Sequence, residues 1–135
     1  MGTHAAIGFK NTDGTVTGVY CHFDGYVSYV GRRLFEYYNT EEKVLELLKH
    51  GNMSTLGTCV GEKHDFDNRG DQTTYYGRDR GDPDEETRTF SSTKEFVNEI
   101  GASYAYLFID GQWFLVDGLE TPMSLENAIE LGEDE

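Results

Sequence analysis

The chain has 135 residues, 37% of them hydrophobic, and a formal net charge of −14, a size that suits one domain burying about two-thirds of its unfolded surface. The acidity is uneven: residues 1–81 hold nine Lys or Arg against eleven Asp or Glu, whereas 82–135 hold two against fourteen. That balance argues against nucleic-acid binding through a broad basic face, which needs clustered cations at the phosphates, and no apolar run approaches the length of a membrane span.

The first element is a hairpin, His4 to Lys10 and Val16 to Phe23, around a turn carrying Asp13-Gly14. Its register follows from which residues share a face. Placing Ala5, Ile7 and Phe9 with Val19, Cys21 and Phe23 on one buried face requires a loop of odd length, because paired residues point the same way. His4, Ala6, Gly8, Tyr20, His22 and Asp24 then occupy the other face. A two-residue Asp-Gly loop would instead pair Ile7 with Tyr20 and mix the faces, so the hydrophobic pattern is taken to set the register.

After Asp24-Gly25, Val30, Leu34 and Tyr37 or Tyr38 recur at helical spacing, and the helix stops at Asn39. Asn39-x-x-Glu42 reads as a capping box that starts a second helix, with Val44, Leu47 and Leu48 inward and Gly51 beyond its end. Residues 58–72 read as a long polar loop and Thr73 to Arg80 as a strand. Ser92-x-x-Glu95 caps a third helix that Gly101 stops. Tyr104 to Ile109 and Gln112 to Val116 form a second hairpin across Asp110-Gly111, a type I′ turn signal. A last short helix starts at Thr121-Pro122 or Ser124 and runs to Leu131, before an acidic tail at 132–135. The expectation is one α+β domain over 1–135: an antiparallel sheet from the N- and C-terminal hairpins, with helices packed on one face. Because the C-terminal hairpin is apolar on both faces, one face is expected to meet another subunit, giving a homo-oligomer.

Three groups of residues offer chemistry. Tyr20, His22 and Asp24 alternate along a strand and therefore share a side, where His22 and Asp24 form either an acid–base pair or a turn carboxylate beside a hydrogen-bonded imidazole. His64 to Asp71 places Asp65, Asp67 and Gly70 at positions one, three and six of a calcium loop. Arg69 stands at its fifth position, however, and Tyr76 where a bidentate glutamate belongs, so the calcium reading fails. The four histidines also lack zinc-site spacing, and neither a metal nor another cofactor is expected. In Tyr75 to Gly81, an extended chain would line up Tyr76, Arg78 and Arg80 as a stacking surface with two planar forks for phosphate. The same arginines also suit pairing with Asp82, Asp84, Glu85 and Glu86, or buttressing the His64 to Asp71 loop.

The strings YCHFDGY (20–26), EKVLELLKHGNMSTLG (42–57) and YYGRDRG (75–81), with the opening MGTHAAIGFKNTDGTVTGV, resemble a widespread family of small, mostly uncharacterised tailed-bacteriophage proteins over roughly residues 1 to 82. The resemblance implies an accessory protein acting in the cytoplasm of an infected host cell by binding, for host takeover or against host defence. Only Cys21 and Cys59 are present, with no signal-peptide pattern, which fits a reducing compartment without disulfides.

Joined to the residues above, this predicts capture of a small nucleotide-type ligand by Tyr20, His22, Asp24, His64, Tyr76, Arg78 and Arg80. A second reading sets the acidic C-terminal half against a basic host protein, as an inhibitor or a nucleic-acid mimic, although an acidic half also serves solubility alone. A third is a small hydrolase or transferase using His22, Asp24 and His64.

Overall fold

The computed structural model describes residues 3–68, 70–116 and 122–131; Thr121 and the acidic tail at 132–135 lie outside them. Among the described residues an eight-stranded sheet carries the fold: β1 (Ala5–Lys10), β2 (Val16–Cys21), β3 (Met53–Thr55), β4 (Thr74–Tyr75), β5 (Arg88–Phe90), β6 (Tyr104–Ile109), β7 (Gln112–Leu115) and β8 (Met123–Ser124). The spatial order is β4-β3-β2-β1-β6-β7-β8, with β5 also paired to β2. Five α-helices accompany it: α1 (Arg32–Tyr37), entered through a π-helical turn at Val27–Gly31, α2 (Glu41–Leu48), α3 (Tyr76–Arg80), α4 (Thr93–Ile100) and α5 (Leu125–Leu131).

The α+β class is the expected one, and so is the register of the first hairpin. Ile7 pairs with Val19, Ala5 with Cys21 and Ala6 with Tyr20. The strands are joined by residues 11–15, an odd-length loop in which the Asp13 carboxylate accepts from the Thr15 N–H and hydroxyl. The hydrophobic pattern thus prevailed over the two-residue turn signal. Phe23 departs from its expected burial at 41% exposed, because β2 ends at Cys21 and the chain turns away through Asp24, whose φ of 59° is left-handed. The second hairpin closes as anticipated, with Asp110 at φ 50° and Gly111 at φ 83°, both positive as a type I′ turn requires.

Two features of the expected arrangement change. The sheet is mixed, because the hairpins join through a parallel pair, Ile7 beside Tyr106 and Phe9 beside Phe108, and β2 and β3 are parallel at Cys21–Met53. Helices also lie on both faces. Ala5, Ile7, Val19, Cys21, Tyr106 and Phe108 pack with Leu34 of α1, Leu47 of α2 and Leu125 of α5. On the reverse face Ala6, Val16, Ala105 and Leu107 pack beneath Phe96 of α4. Gly8 and Gly18, directly paired, make that approach possible: a Cβ at Gly18 would stand 2.6 Å from the Phe96 ring and one at Gly8 2.9 Å. The double-sided apolarity of the C-terminal hairpin is therefore absorbed within one chain, since Tyr106, Phe108, Trp113 and Leu115 enter one core and Ala105, Leu107 and Val116 the other. The ground for expecting an oligomer disappears with it.

The caps explain where the helices begin. Ser92 accepts from the Glu95 N–H at 3.1 Å, and Gly101 ends α4 at φ 64°, as anticipated. For α2 the cap falls one residue later than Asn39: the Thr40 hydroxyl accepts from the Lys43 N–H. Ser124 caps α5 through the Asn127 N–H. The expected strand Thr73 to Arg80 is real only at Thr74–Tyr75, after which the chain coils into α3 and stops at Gly81, φ 79°. A carboxylate causes the change. Asp79 reaches back to accept the Tyr75 N–H at 2.8 Å, a side-chain bond that closes the turn from the end of β4 into α3.

Candidate ligand-binding cleft

The cleft arises from a fault in strand pairing. One edge of β2 is shared by two short strands, β5 against Val16–Gly18 and β3 at Cys21. Neither reaches Tyr20. The Tyr20 N–H is satisfied instead by the Asn52 side-chain oxygen at 2.9 Å, while Asn52 Nδ2 donates to Glu85 at 3.1 Å and the Asn52 N–H to the Glu85 carbonyl at 2.8 Å. The divergence of β3 and β5 opens a cleft of about 480 Å³ whose walls include Tyr20, Asn52, Tyr76, Arg80, Arg88 and Glu99.

Its far wall is α3. Tyr76 and Arg80 stand one turn apart and therefore on one helix face. The Arg80 guanidinium lies 5.0 Å from the Tyr76 ring centre and 4.5 Å from that of Phe66, and the two rings are 5.8 Å apart. Arg80 Nε and Nη2 hold the Asp82 carboxylate, the shortest contact being 2.7 Å. Nη1 has no hydrogen bond to a described residue, so it can donate to a ligand. Arg88 is only loosely held, 3.5 Å from Glu99 with both side chains about half exposed. Against these two cations the cleft sets Asp82, Glu85 and Glu99, a balance that suits a ligand of low charge rather than a polyphosphate.

The near wall is Tyr20, which ties the cleft to a pair of imidazoles. Its hydroxyl lies 2.9 Å from His4 Nδ1 and 2.8 Å from His22 Nδ1, and the two imidazoles stack with centres 4.7 Å apart. His4 Nδ1 also sits 2.8 Å from the His22 carbonyl. His22 titrates below the ordinary imidazole range, because burial disfavours the cation and His4 stands beside it. Burial likewise pushes the Tyr20 phenol up, so this hydroxyl is a proton-bearing hydrogen-bonding group and not a phenolate nucleophile.

Of the seven residues named from sequence, Tyr20, Tyr76 and Arg80 meet in this cleft, and His22 backs it through Tyr20. Arg78 does not point into it. Its Nε donates to Asp79, Nη1 to the carbonyls of Val60 and Gly61, and Nη2 to the Thr73 carbonyl and Asp79. All five donors are thus used in fastening the long loop. The alternation that would have aligned Arg78 with Tyr76 and Arg80 is lost because α3 is helical. Asp24 accepts from the Tyr26 hydroxyl at 3.3 Å and lines a separate recess with Phe66, Asp67 and Thr74. His64 bonds the Glu62 carbonyl and the Thr74 hydroxyl and lies 3.6 Å from Asp79.

His22, Asp24 and His64 therefore have separate partners and form no hydrogen-bonded acid–base set. Among the described residues no group of three or more His, Cys, Asp or Glu is placed to hold a metal ion. Both cysteines are free, and burial pushes the Cys21 thiol up to about 12, which makes it inert. Among the described residues no helix is long and apolar enough to cross a membrane.

Sequence reasoning missed His4, Asn52, Phe66 and Arg88. His4 alone had a readable signal, since the register places it on the face of Tyr20 and His22. The other three enter through long-range closure of the chain. Compared with models of protein families, with characterised proteins and with solved structures, the chain finds no match.

Proposed function

We propose that this protein acts by binding, and that the cleft between β2 and α3 captures a small, singly charged nucleotide-type ligand. The observation that carries the reading is that Tyr76 and Arg80 line a cleft of about 480 Å³ together with Tyr20, with Phe66 packed against both from the neighbouring recess. Aromatic rings accept a base by its face whatever its identity, and a guanidinium with a spare donor accepts a phosphate oxygen. The base lies against Tyr76 with the phosphate turned to Arg80 Nη1 and Arg88. Three carboxylates in the same cleft disfavour a ligand with several phosphate charges.

His22, Asp24 and His64 form no hydrogen-bonded acid–base set beside the site, which supports sequestration over turnover by those three. In this reading, which the sequence resemblance to small tailed-phage proteins motivates, the sequestration takes place in the cytoplasm of an infected cell and serves host takeover or blunts a defence. Native mass spectrometry of the protein purified from cells tests the reading. A retained mass in the mononucleotide or cyclic-nucleotide range, absent from Tyr76→Ala, is the expected result; a stably held macromolecular partner and no small ligand would favour the acidic half as the working surface instead.

A further inference from the structure

The distances around Tyr20 fix His4 as a donor and leave the His22 ring as the partner whose protonation sets the rest. The His22 carbonyl accepts hydrogen bonds and donates none, so His4 Nδ1, 2.8 Å away, must carry a hydrogen. That hydrogen also faces the Tyr20 oxygen at 2.9 Å. Because His4 supplies the donor there, the Tyr20 O–H does not point at His4, and it makes the 2.8 Å contact with His22 Nδ1 whenever that nitrogen carries no hydrogen. Neutral His22 then accepts at Nδ1 and carries its own hydrogen on Nε2. The order is His4 Nδ1–H to Tyr20 oxygen, then Tyr20 O–H to His22 Nδ1, so the hydroxyl proton is held by an imidazole that is not among the residues lining the cleft of Tyr20.

We propose that this chain couples the cleft to one proton: protonating His22 at Nδ1 reverses its hydrogen bond with Tyr20 and turns the Tyr20 O–H into the cleft as a donor to a bound anion. The inference rests on the binding reading above and names how that site is regulated. A proton from solvent adds to His22 Nδ1, the Tyr20 oxygen then accepts from both imidazoles, and no covalent bond changes. The protonated ring also adds a positive charge behind the cleft. By linkage, an anion that takes the Tyr20 donor raises the affinity of His22 for its proton, and affinity for the anion increases as pH falls.

The surrounding charges leave this proton on the imidazole. Tyr20, at 2.8 Å, and His4, just before β1, are its titratable neighbours. Across the cleft, Tyr76 is hydrogen-bonded to Ser54, Arg80 is paired with Asp82, Arg88 with Glu99, and Glu85 accepts from Asn52. Asp24, just beyond β2, accepts from Tyr26. Each carboxylate already has a donor, so none competes to pull His22⁺ out of its contact with Tyr20. Burial and the neighbouring His4 depress the His22 titration and so favour the neutral ring.

Two measurements decide the matter. Nitrogen-15 NMR of the histidine rings at about pH 7.5 should give the Nδ1–H tautomer for His4 and the Nε2–H tautomer for His22. Tyr20→Phe should shift the His22 midpoint, because it removes a partner that donates to the neutral ring and accepts from the protonated one. An Nδ1–H His22, or a titration indifferent to Tyr20→Phe, would overturn the inference without ligand present.

Calorimetry with a 3′,5′-cyclic nucleotide, whose charge is constant with pH, should show affinity rising at least about fivefold from about pH 7.5 to 5.5. Proton uptake should accompany binding, and both effects should vanish in Tyr20→Phe. Binding of equal strength at the two pH values would overturn the switch and leave the binding reading intact. Absence of binding at either pH would overturn the binding reading and the ligand half of the inference with it.

Discussion

Arg78 and Asp79, adjacent in sequence, close a two-pronged ion pair, Nε to one carboxylate oxygen at 2.9 Å and Nη2 to the other at 3.1 Å. The Asp79 carboxylate also accepts the backbone N–H groups of Tyr75 and His64. Burial alone would raise its protonation midpoint, yet the Arg78 bonds and these two backbone donors hold it below the usual carboxylate range. The pair joins the long loop to α3 and is a structural bracket.

Arg78→Lys should therefore destabilise the fold by about 2–3 kcal/mol, because lysine keeps the charge but loses the planar fork that reaches Asp79 and three carbonyls at once. Asp79→Ala should cost about 3–5 kcal/mol by leaving the guanidinium without its partner. Urea denaturation checks both. Ligand affinity measured well below the melting temperature should be unchanged in Arg78→Lys.

Gly18→Ala should destabilise by about 1–3 kcal/mol, because the new methyl falls 2.6 Å from the Phe96 ring and α4 must shift. Phe96→Ala should cost about 3–5 kcal/mol as a cavity in the second core. In the double variant the penalties should be less than additive, since the clash disappears with the ring. Additive penalties by chemical denaturation would mean that α4 does not rest on the Gly8–Gly18 pair.

Stability should fall on both sides of neutrality. His22 and His50 are both depressed, first of all by burial, so the unfolded chain binds protons that the folded one resists. Their contribution is complete above the unfolded value of about 6.5 and is lost as pH falls through the lower folded values. Asp79 extends the loss below the ordinary aspartate value of 3.8. At the alkaline end burial raises Tyr38 to about 12, so its contribution is present below about 10 and lost as pH rises through the folded value. Urea midpoints at about pH 5, 7.5 and 11 should trace a dome, with His22→Gln and His50→Gln each flattening its acid side.

In solution the protein should be a monomer at micromolar concentration, because both apolar faces of the β6–β7 hairpin are covered by its own chain. Light scattering at about 15 kDa is the expected result. A dimer would show that a surface other than the hairpin faces joins the copies.

The legible parts of the fold were those written locally. Residues 4–23 alternate cleanly enough to fix which faces pair, Asp110-Gly111 specifies its own turn, and Ser92-x-x-Glu95 caps its own helix. The parallel meeting of β1 and β6 joins residues about a hundred positions apart and leaves no local mark. The approach of α4 did leave one, in the facing glycines at 8 and 18, which are the natural place for another element to come close. The strand expected at 73–80 failed because tyrosines and alternating arginines carry strand preference. The competing signal was Gly81 as a helix stop, together with a carboxylate at Asp79 able to take the Tyr75 N–H. At the cleft, Tyr76 and Arg80 were found for the wrong geometric reason: spacing by four serves a helix as spacing by two serves a strand.

Isothermal calorimetry with cyclic and linear mononucleotides at two salt concentrations tests the central claim most directly. The account predicts binding of a singly charged nucleotide, stronger than that of its triphosphate counterpart and weakened by salt. Tyr76→Ala should reduce it about 5- to 100-fold, as loss of base stacking does, and Arg80→Ala should reduce it further at low salt. No heat and no thermal shift across that panel, from protein that is folded and monomeric, would contradict the claim that the cleft between β2 and α3 holds a nucleotide.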